Sequence, residues 1–150
     1  SAGVRQAAGQ GPAAVGMVRG VTIYTATLPW FPKELSTNGS HGTWRPRARA
    51  TKAYRAACGW QAKAQGWKPV AWQSVLVHVV FFPPNRNRRD AANCLASFKS
   101  GIDGLSDVLG VDDSKFRVSF ELSTEIGGMV RVTAAEYTGA IAAQVAEVLR

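Results

Sequence analysis

The stretch "WQSVLVHVVFFPPNRNRRDAANCLASFKSGIDGLSDVLGVDDSKFRVSFELS", residues 72–123, holds three patterns whose order decides the fold. Residues 72–82 are almost continuously apolar, which predicts a central strand covered on both faces. Pro83 and Pro84 stop it, because neither can donate to a ladder. From about Asp90 to Leu109, the side chains Leu95, Phe98, Ile102, Leu105 and Leu109 recur at helical spacing, and Gly110 stands where a C-cap belongs. Residues 115–123 then alternate. Phe116, Val118, Phe120 and Leu122 are expected to face in, and Lys115, Arg117, Ser119 and Glu121 out.

Outward from this centre the same logic continues. "VRGVTIYTATLP" (18–29) is rich in β-branched residues and ends at a proline, so it predicts another strand. "WFPKELSTNGSHGTWRP" (30–46) is loop by its Pro, Gly, Asn and Ser content. From Arg47 to about Gln65 the residues Ala50, Ala53, Tyr54, Ala57 and Ala64 predict a helix. Gly127-Gly128 signals a hairpin turn into the strand "MVRVTAAEY". A last amphipathic helix carries Ile141, Val145, Val148 and Leu149. The predicted order is β-α-β-α-β-β-α, without internal repeat. That is one α+β domain with a mixed sheet of about four strands flanked by helices. His78 is expected as a satisfied core residue. Trp60, Trp67 and Trp72 are expected as core or dimer contacts.

At 150 residues, 46% hydrophobic, the chain can bury a real core. No apolar run approaches the roughly 18 residues of a membrane span, so no membrane partner is expected. Residues 1–16 are Gly/Ala-rich and lack the apolar centre of a signal peptide. They are expected to be a flexible extension, with the folded domain at 17–150 and Met17 a candidate native start. Cys58 and Cys94 are 36 positions apart, outside any CxxC, which fits a reducing cytoplasm. With His41 and His78 the only histidines, a His/Cys metal site is not expected.

The net charge is +8, and its distribution is uneven. Up to residue 89 the only acid is Glu34, against thirteen Lys and Arg. Residues 90–113 then hold five of the ten acids: Asp90, Asp103, Asp107, Asp112 and Asp113. A basic body with one acidic focus suits a polyanion and a divalent cation. In the first helix Arg45, Arg49, Lys52 and Lys63 fall within about 60° of one another at about 100° per residue. No acids interleave them, so phosphate contact is the expected use.

Within the acidic focus two readings stand side by side. Asp90 is placed to cap a helix, and Asp113 to make a turn. Alternatively they share a site. A straight helix of about 20 residues would hold them roughly 30 Å apart. Their union therefore requires a break, for which Gly101 and Gly104 are candidates, or a twofold dimer. Lys99 sits about 90° from the centre of the apolar stripe. It can reach such a site or pair with Asp103 four residues on.

These residues resemble the core motif of the RusA-type Holliday junction resolvases, common in phages and prophages. That motif runs Arg-Asp-x-Asp-Asn, a Lys, Asp-(Ala/Gly)-Leu, then a hydrophobic residue and Asp-Asp-(Ser/Ala). Arg89-Asp90 and Asn93 match its start. Lys99, Asp103-Gly104-Leu105 and Val111-Asp112-Asp113-Ser114 match the rest in order. The strand ending "LPW", the loop from Asn38 to Trp44 and the basic "RARATKAYR" resemble the family too. The likeness covers about residues 19 to 135. It implies a homodimeric endonuclease of DNA recombination and repair that cuts four-way junctions in the cytoplasm of a bacterial or phage-infected cell.

Carried over, the resemblance makes Asp90, Asp112 and Asp113 ligands of Mg²⁺, with Mn²⁺ as a substitute. Asp90, Asp113 and Lys99 become the catalytic residues. Asn93 would orient a ligand or backbone, and Arg86, Arg88 and Arg89 would clamp phosphates. The sequence departs from the motif at Ala92, where the family usually has a second carboxylate. A non-catalytic branched-DNA-binding protein of the same fold is the alternative that this departure favours.

Overall fold

The structure, a computed structural model, describes residues 15–18, 20–36, 44–139 and 147. It is a single α+β domain built on a mixed five-stranded sheet. Strand β1 (Val15–Val18) turns back into β2 (Val21–Pro29), with Val18 opposite Val21 and Gly20 at φ +81°. β1 thus begins at Val15, two residues ahead of the boundary expected at 17. Helix α1 (Trp44–Ala64) follows, then β3 (Val75–Phe82), helices α2 (Ala91–Ser97) and α3 (Lys99–Leu109), β4 (Phe116–Leu122) and β5 (Met129–Glu136). The predicted C-terminal helix stripe, and the loop residues His41 and Asn38, lie outside the described residues. No helix among the described residues is long and apolar enough to cross a membrane.

The strand order is β1-β2-β5-β3-β4, with β3 and β4 parallel and every other neighbour antiparallel. A parallel pair needs a long crossover, and α2 with α3 supplies it. β4 and β5 are therefore not a hairpin. The connection between them passes over the end of β3, where Gly127 and Gly128 N–H groups donate to the Pro83 carbonyl at 2.9 and 3.1 Å. The paired glycines serve this crossing. A Cβ on Gly127 would stand 3.0 Å from that of Phe82, and Gly128 has φ +70°. The reason lies in burial. β5 alternates Val130, Val132 and Ala134 into the core and takes a central place, whereas β4 is an exposed edge.

Helices cover one sheet face. Tyr24, Ala26 and Leu28 of β2, Val75, Val77, Val79 and Phe81 of β3, and Phe98, Ile102, Leu105 and Leu109 from the helices form the core. Val118 and Phe120 point to that same face but remain 38% exposed, because they belong to the edge strand, which the helices cover only in part. Trp67 is fully buried, and its indole N–H donates to Thr25 O at 3.1 Å. Trp72 is half-buried beside Tyr24, while Trp60 is exposed and so not part of the core. Both cysteines are buried and free. Burial pushes the Cys58 thiol up to about 12, which disfavours its thiolate.

His78 is not a core residue. It points to the opposite sheet face, in a polar row with Thr25, Thr133 and Ser119. Its Nδ1 meets Ser119 Oγ at 2.7 Å and its Nε2 meets Glu121 Oε1 at 3.3 Å. Strand alternation places it there: the buried set is Val75, Val77, Val79 and Phe81, so residue 78 must face away.

Candidate functional site

The segment expected as one helix from 90 to 109 is two, broken at Phe98. That residue has φ −92° and ψ 4°, and it caps α2 while it starts α3. The cause is its ring, fully buried against Tyr54 and Phe81. Gly101 leaves room for that ring, since a Cβ there would lie 2.4 Å from it. Gly104 does not break the helix either. A Cβ on it would stand 2.4 Å from the Arg55 carbonyl oxygen, so it lets α3 cross α1 closely. Across the crossing the Arg55 guanidinium grips Asp107 with two bonds of 2.7 Å. That fork holds the Asp107 carboxyl below its usual range.

At the start of α3, Lys99 Nζ donates to Asp103 Oδ1 and to Asp113 Oδ2, 2.6 Å each. Asp103 is one turn along the same helix, but Asp113 arrives from the 3-10 turn Asp113–Lys115. Burial alone would lower the Lys99 pKa, but hydrogen bonds and charge from Asp103 and Asp113 outweigh it and hold it above the usual lysine range. Lys99 is therefore a permanent cation at neutral pH. Asp112, exposed, caps the 3-10 turn through a 3.0 Å bond from Ser114 N–H. The Ser114 hydrogen bonds, aided by Lys115 and Lys99, hold its carboxyl below the usual range.

At the start of α2, Asp90 is an N-cap, with φ −115° and ψ 130°. Its Oδ1 accepts from the Ala92 N–H at 2.8 Å. A small hollow beside it is lined by Phe31, Arg89, Asn93, Cys94 and Ser97. Arg89 is engaged in holding the loop before it. Its Nη1 donates to the carbonyls of Asn85 and Asn87 at 3.1 Å each, and its guanidinium lies 5.5 Å over Trp30. Arg86 and Arg88 are exposed on that loop.

The predicted site residues thus fall into two groups. Asp113, Asp112 and Lys99 come together, and they bring in Asp103, which the sequence offered as an ion-pair partner of Lys99 and as a matched motif position but not as a site residue. Asp90 and Asn93 stand in the α2 hollow. Among the described residues no three His, Cys, Asp or Glu side chains are grouped to share a metal ion. On α1, Arg45, Arg49, Lys52 and Lys63 are all exposed, as the stripe required. Arg55, by contrast, is committed to Asp107, and Arg47 donates to the Glu34 carbonyl at 2.9 Å.

The fold and site define an α+β domain with a basic, acid-free helix packed against one that opens on a lysine held between two carboxylates. No family model matches the chain. Over 98 residues it is 38% identical to an uncharacterized protein of Xylella fastidiosa (strain Temecula1), covering 63% of each protein. The chain therefore spans less than two thirds of that relative's length. A solved structure, IspF of Plasmodium falciparum in complex with CDP, aligns over 61% of this chain and 53% of that one. Its identity is 15% and its TM-score 0.27, at which no common fold follows.

Proposed function

We propose that the chain is an endonuclease that hydrolyses phosphodiesters at four-way DNA junctions, like the RusA-type resolvases its motif resembles. The observation that carries this reading is the meeting of Asp103 and Asp113 on Lys99 Nζ at 2.6 Å each. Three separated pieces of the motif, Lys, Asp-Gly-Leu and Asp-Asp-Ser, supply one polar cluster on a chain whose helix α1 is basic. Carboxylate oxygens suit Mg²⁺, which takes one or two protein carboxylates and completes its shell with water and phosphate. On the resemblance Asp90, Asp112 and Asp113 would hold it, but here Asp90 stands in the α2 hollow and the three carboxylates are not grouped, so Asp112 and Asp113 are the pair offered by one corner. When bound, Mg²⁺ supplies a lowered pKa for water and neutralisation of phosphoryl charge.

The chain's own groups do the rest. Lys99, kept protonated, donates to a phosphate oxygen or to the leaving oxygen as charge develops there. Arg86 and Arg88, on the loop that Arg89 braces, bind flanking phosphates. Asn93 orients the Asp90 corner. A twofold dimer would set two such sites for symmetric cuts. The test is nicking of a synthetic four-way junction in Mg²⁺. Wild type is expected to nick, and Asp90→Asn and Asp113→Asn are expected to bind without nicking. Cleavage that survives both substitutions would overturn the assignment.

A second reading rests on Ala92, which offers no carboxylate, and on Lys99, which itself neutralises Asp103 and Asp113. On this reading the chain binds branched DNA without cutting. Salt-dependent binding, no nicking in Mg²⁺ or Mn²⁺, and a gain of nicking in Ala92→Asp would select it.

A further inference from the structure

The outer face of α1 carries more than charge. Arg45, Arg49, Lys52, Ala56, Trp60 and Lys63 are all exposed. At about 100° per residue they fall within about 80° of one another. Trp60 is not in the core: it is 72% exposed, more than any other large apolar side chain among the described residues. Ala56, one turn before it, is too small to cover the ring. Tyr54, Cys58 and Ala62 make the buried face of the helix, so Trp60 cannot turn inward without unpacking α1.

Three of the neighbouring cations are also available. Arg55, on the flank of the stripe, is held by Asp107, but Arg49, Lys52 and Lys63 form no ion pair among the described residues. α1 contains no acid at all. A protein–protein interface core favours tryptophan but depletes lysine, so an indole set among lysines and arginines suits a protein partner poorly. A polyanion with aromatic faces fits both features. Phosphates take the cations and a base takes the ring, the combination by which proteins hold unpaired nucleic-acid strands.

We propose that Trp60 stacks on an unpaired base of DNA whose backbone runs along the α1 stripe. In an intact duplex the base faces are already stacked, so the substrate class is single-stranded or branched DNA with a splayed base. This rests on the DNA reading above and adds a base-contact residue to it. Trp60 is a binding residue, remote in role from the Lys99 cluster.

The experiment uses fluorescence anisotropy with a dye-labelled oligothymidine and an abasic oligonucleotide of equal phosphate count. Trp60→Ala is expected to weaken binding to oligothymidine roughly 5- to 150-fold. Trp60→Phe should recover part of the loss, and Trp60→Ala should bind the abasic strand as wild type does. Lys52→Ala and Lys63→Ala should weaken both strands alike. An equal effect of Trp60→Ala on both strands, or none on either, overturns the stacking role. So does a fall in sedimentation mass in Trp60→Ala with unchanged affinity per site, which would assign the ring to a contact between copies. Failure of wild type to bind any DNA at low salt overturns this inference and the nuclease reading together. Base-dependent binding through Trp60 with no nicking upholds the inference and overturns only the nuclease.

Discussion

The α2 corner around Asp90 and the α3 corner around Lys99 lie in one stretch of sequence and are built in opposite ways. Asp90 is held by its immediate neighbours: one carboxylate oxygen accepts the Ala92 N–H, as any N-cap would. Lys99 is held by residues four and fourteen positions away, and Asp113 reaches it only because α3 ends at Gly110 and the chain returns. A local device can be swapped for another of the same kind. A cluster assembled over distance depends on every helix that positions it. The comparison teaches that the motif's pieces do not share one structural origin, even where they are adjacent in sequence.

The sharpest way to break the comparison is at Lys99. Lys99→Met is expected to lower junction nicking roughly 10²–10³-fold with DNA affinity little changed, measured by single-turnover cleavage. Equal nicking by wild type and Lys99→Met would reduce the α3 corner to an ion pair. Next in size is Gly104→Ala. Its new Cβ meets the Arg55 carbonyl and must push α1 from α3, at a cost of about 1–3 kcal/mol in urea unfolding. Nicking should fall in this variant beyond its loss of stability, because α3 carries both Lys99 and Asp103.

Asp90 can be divided into its two roles. Asp90→Ala is expected to lose about 1 kcal/mol of stability with the cap, while Asp90→Ser keeps most of it. Loss of nicking in both, with stability lost only in the first, separates the ligand from the cap. If nicking tracks stability instead, Asp90 is only a cap.

The smallest effect is a pH dependence at the helix crossing. The Asp107 carboxyl is held below its usual range in the fold, first by the hydrogen bond from Arg55. Its stabilisation is therefore complete above the unfolded pKa near 3.8 and disappears as pH falls through the lower folded value. The pair is half exposed, so its worth is small and weaker in salt. Wild type should lose slightly more stability than Asp107→Asn between neutral and strongly acid pH, read from urea midpoints. A parallel pair of curves would show that the fork contributes nothing.

Much of this architecture is legible in the sequence. The strand at β3, the stripe from Phe98 to Leu109 and the Gly110 cap, observed at φ +68°, followed from periodicity and capping, but the cover expected on both faces of β3 is found on one only, since Leu76, His78 and Val80 stay half-buried on the other. So did the exposed basic stripe of α1, because no acid interrupts it. The break at Phe98 was not legible. Its residues fit a continuous helix, and the break answers to a ring buried against Tyr54 and Phe81, which are distant in sequence. The β4–β5 hairpin misled for a similar reason. Gly127-Gly128 permits several tight turns, and only the competition for a central place in the sheet sends β5 past β3.

By itself the sequence determined the α+β class, the basic helix and the acidic focus, because each rests on neighbours within a turn or a strand. Only the tertiary structure decided that Lys99 meets Asp113, that Gly104 serves a helix crossing, that His78 faces outward and that Trp60 stands in the open. These depend on which surfaces pack together. That is settled by the burial of the whole core, a sum over distant residues that no local window contains.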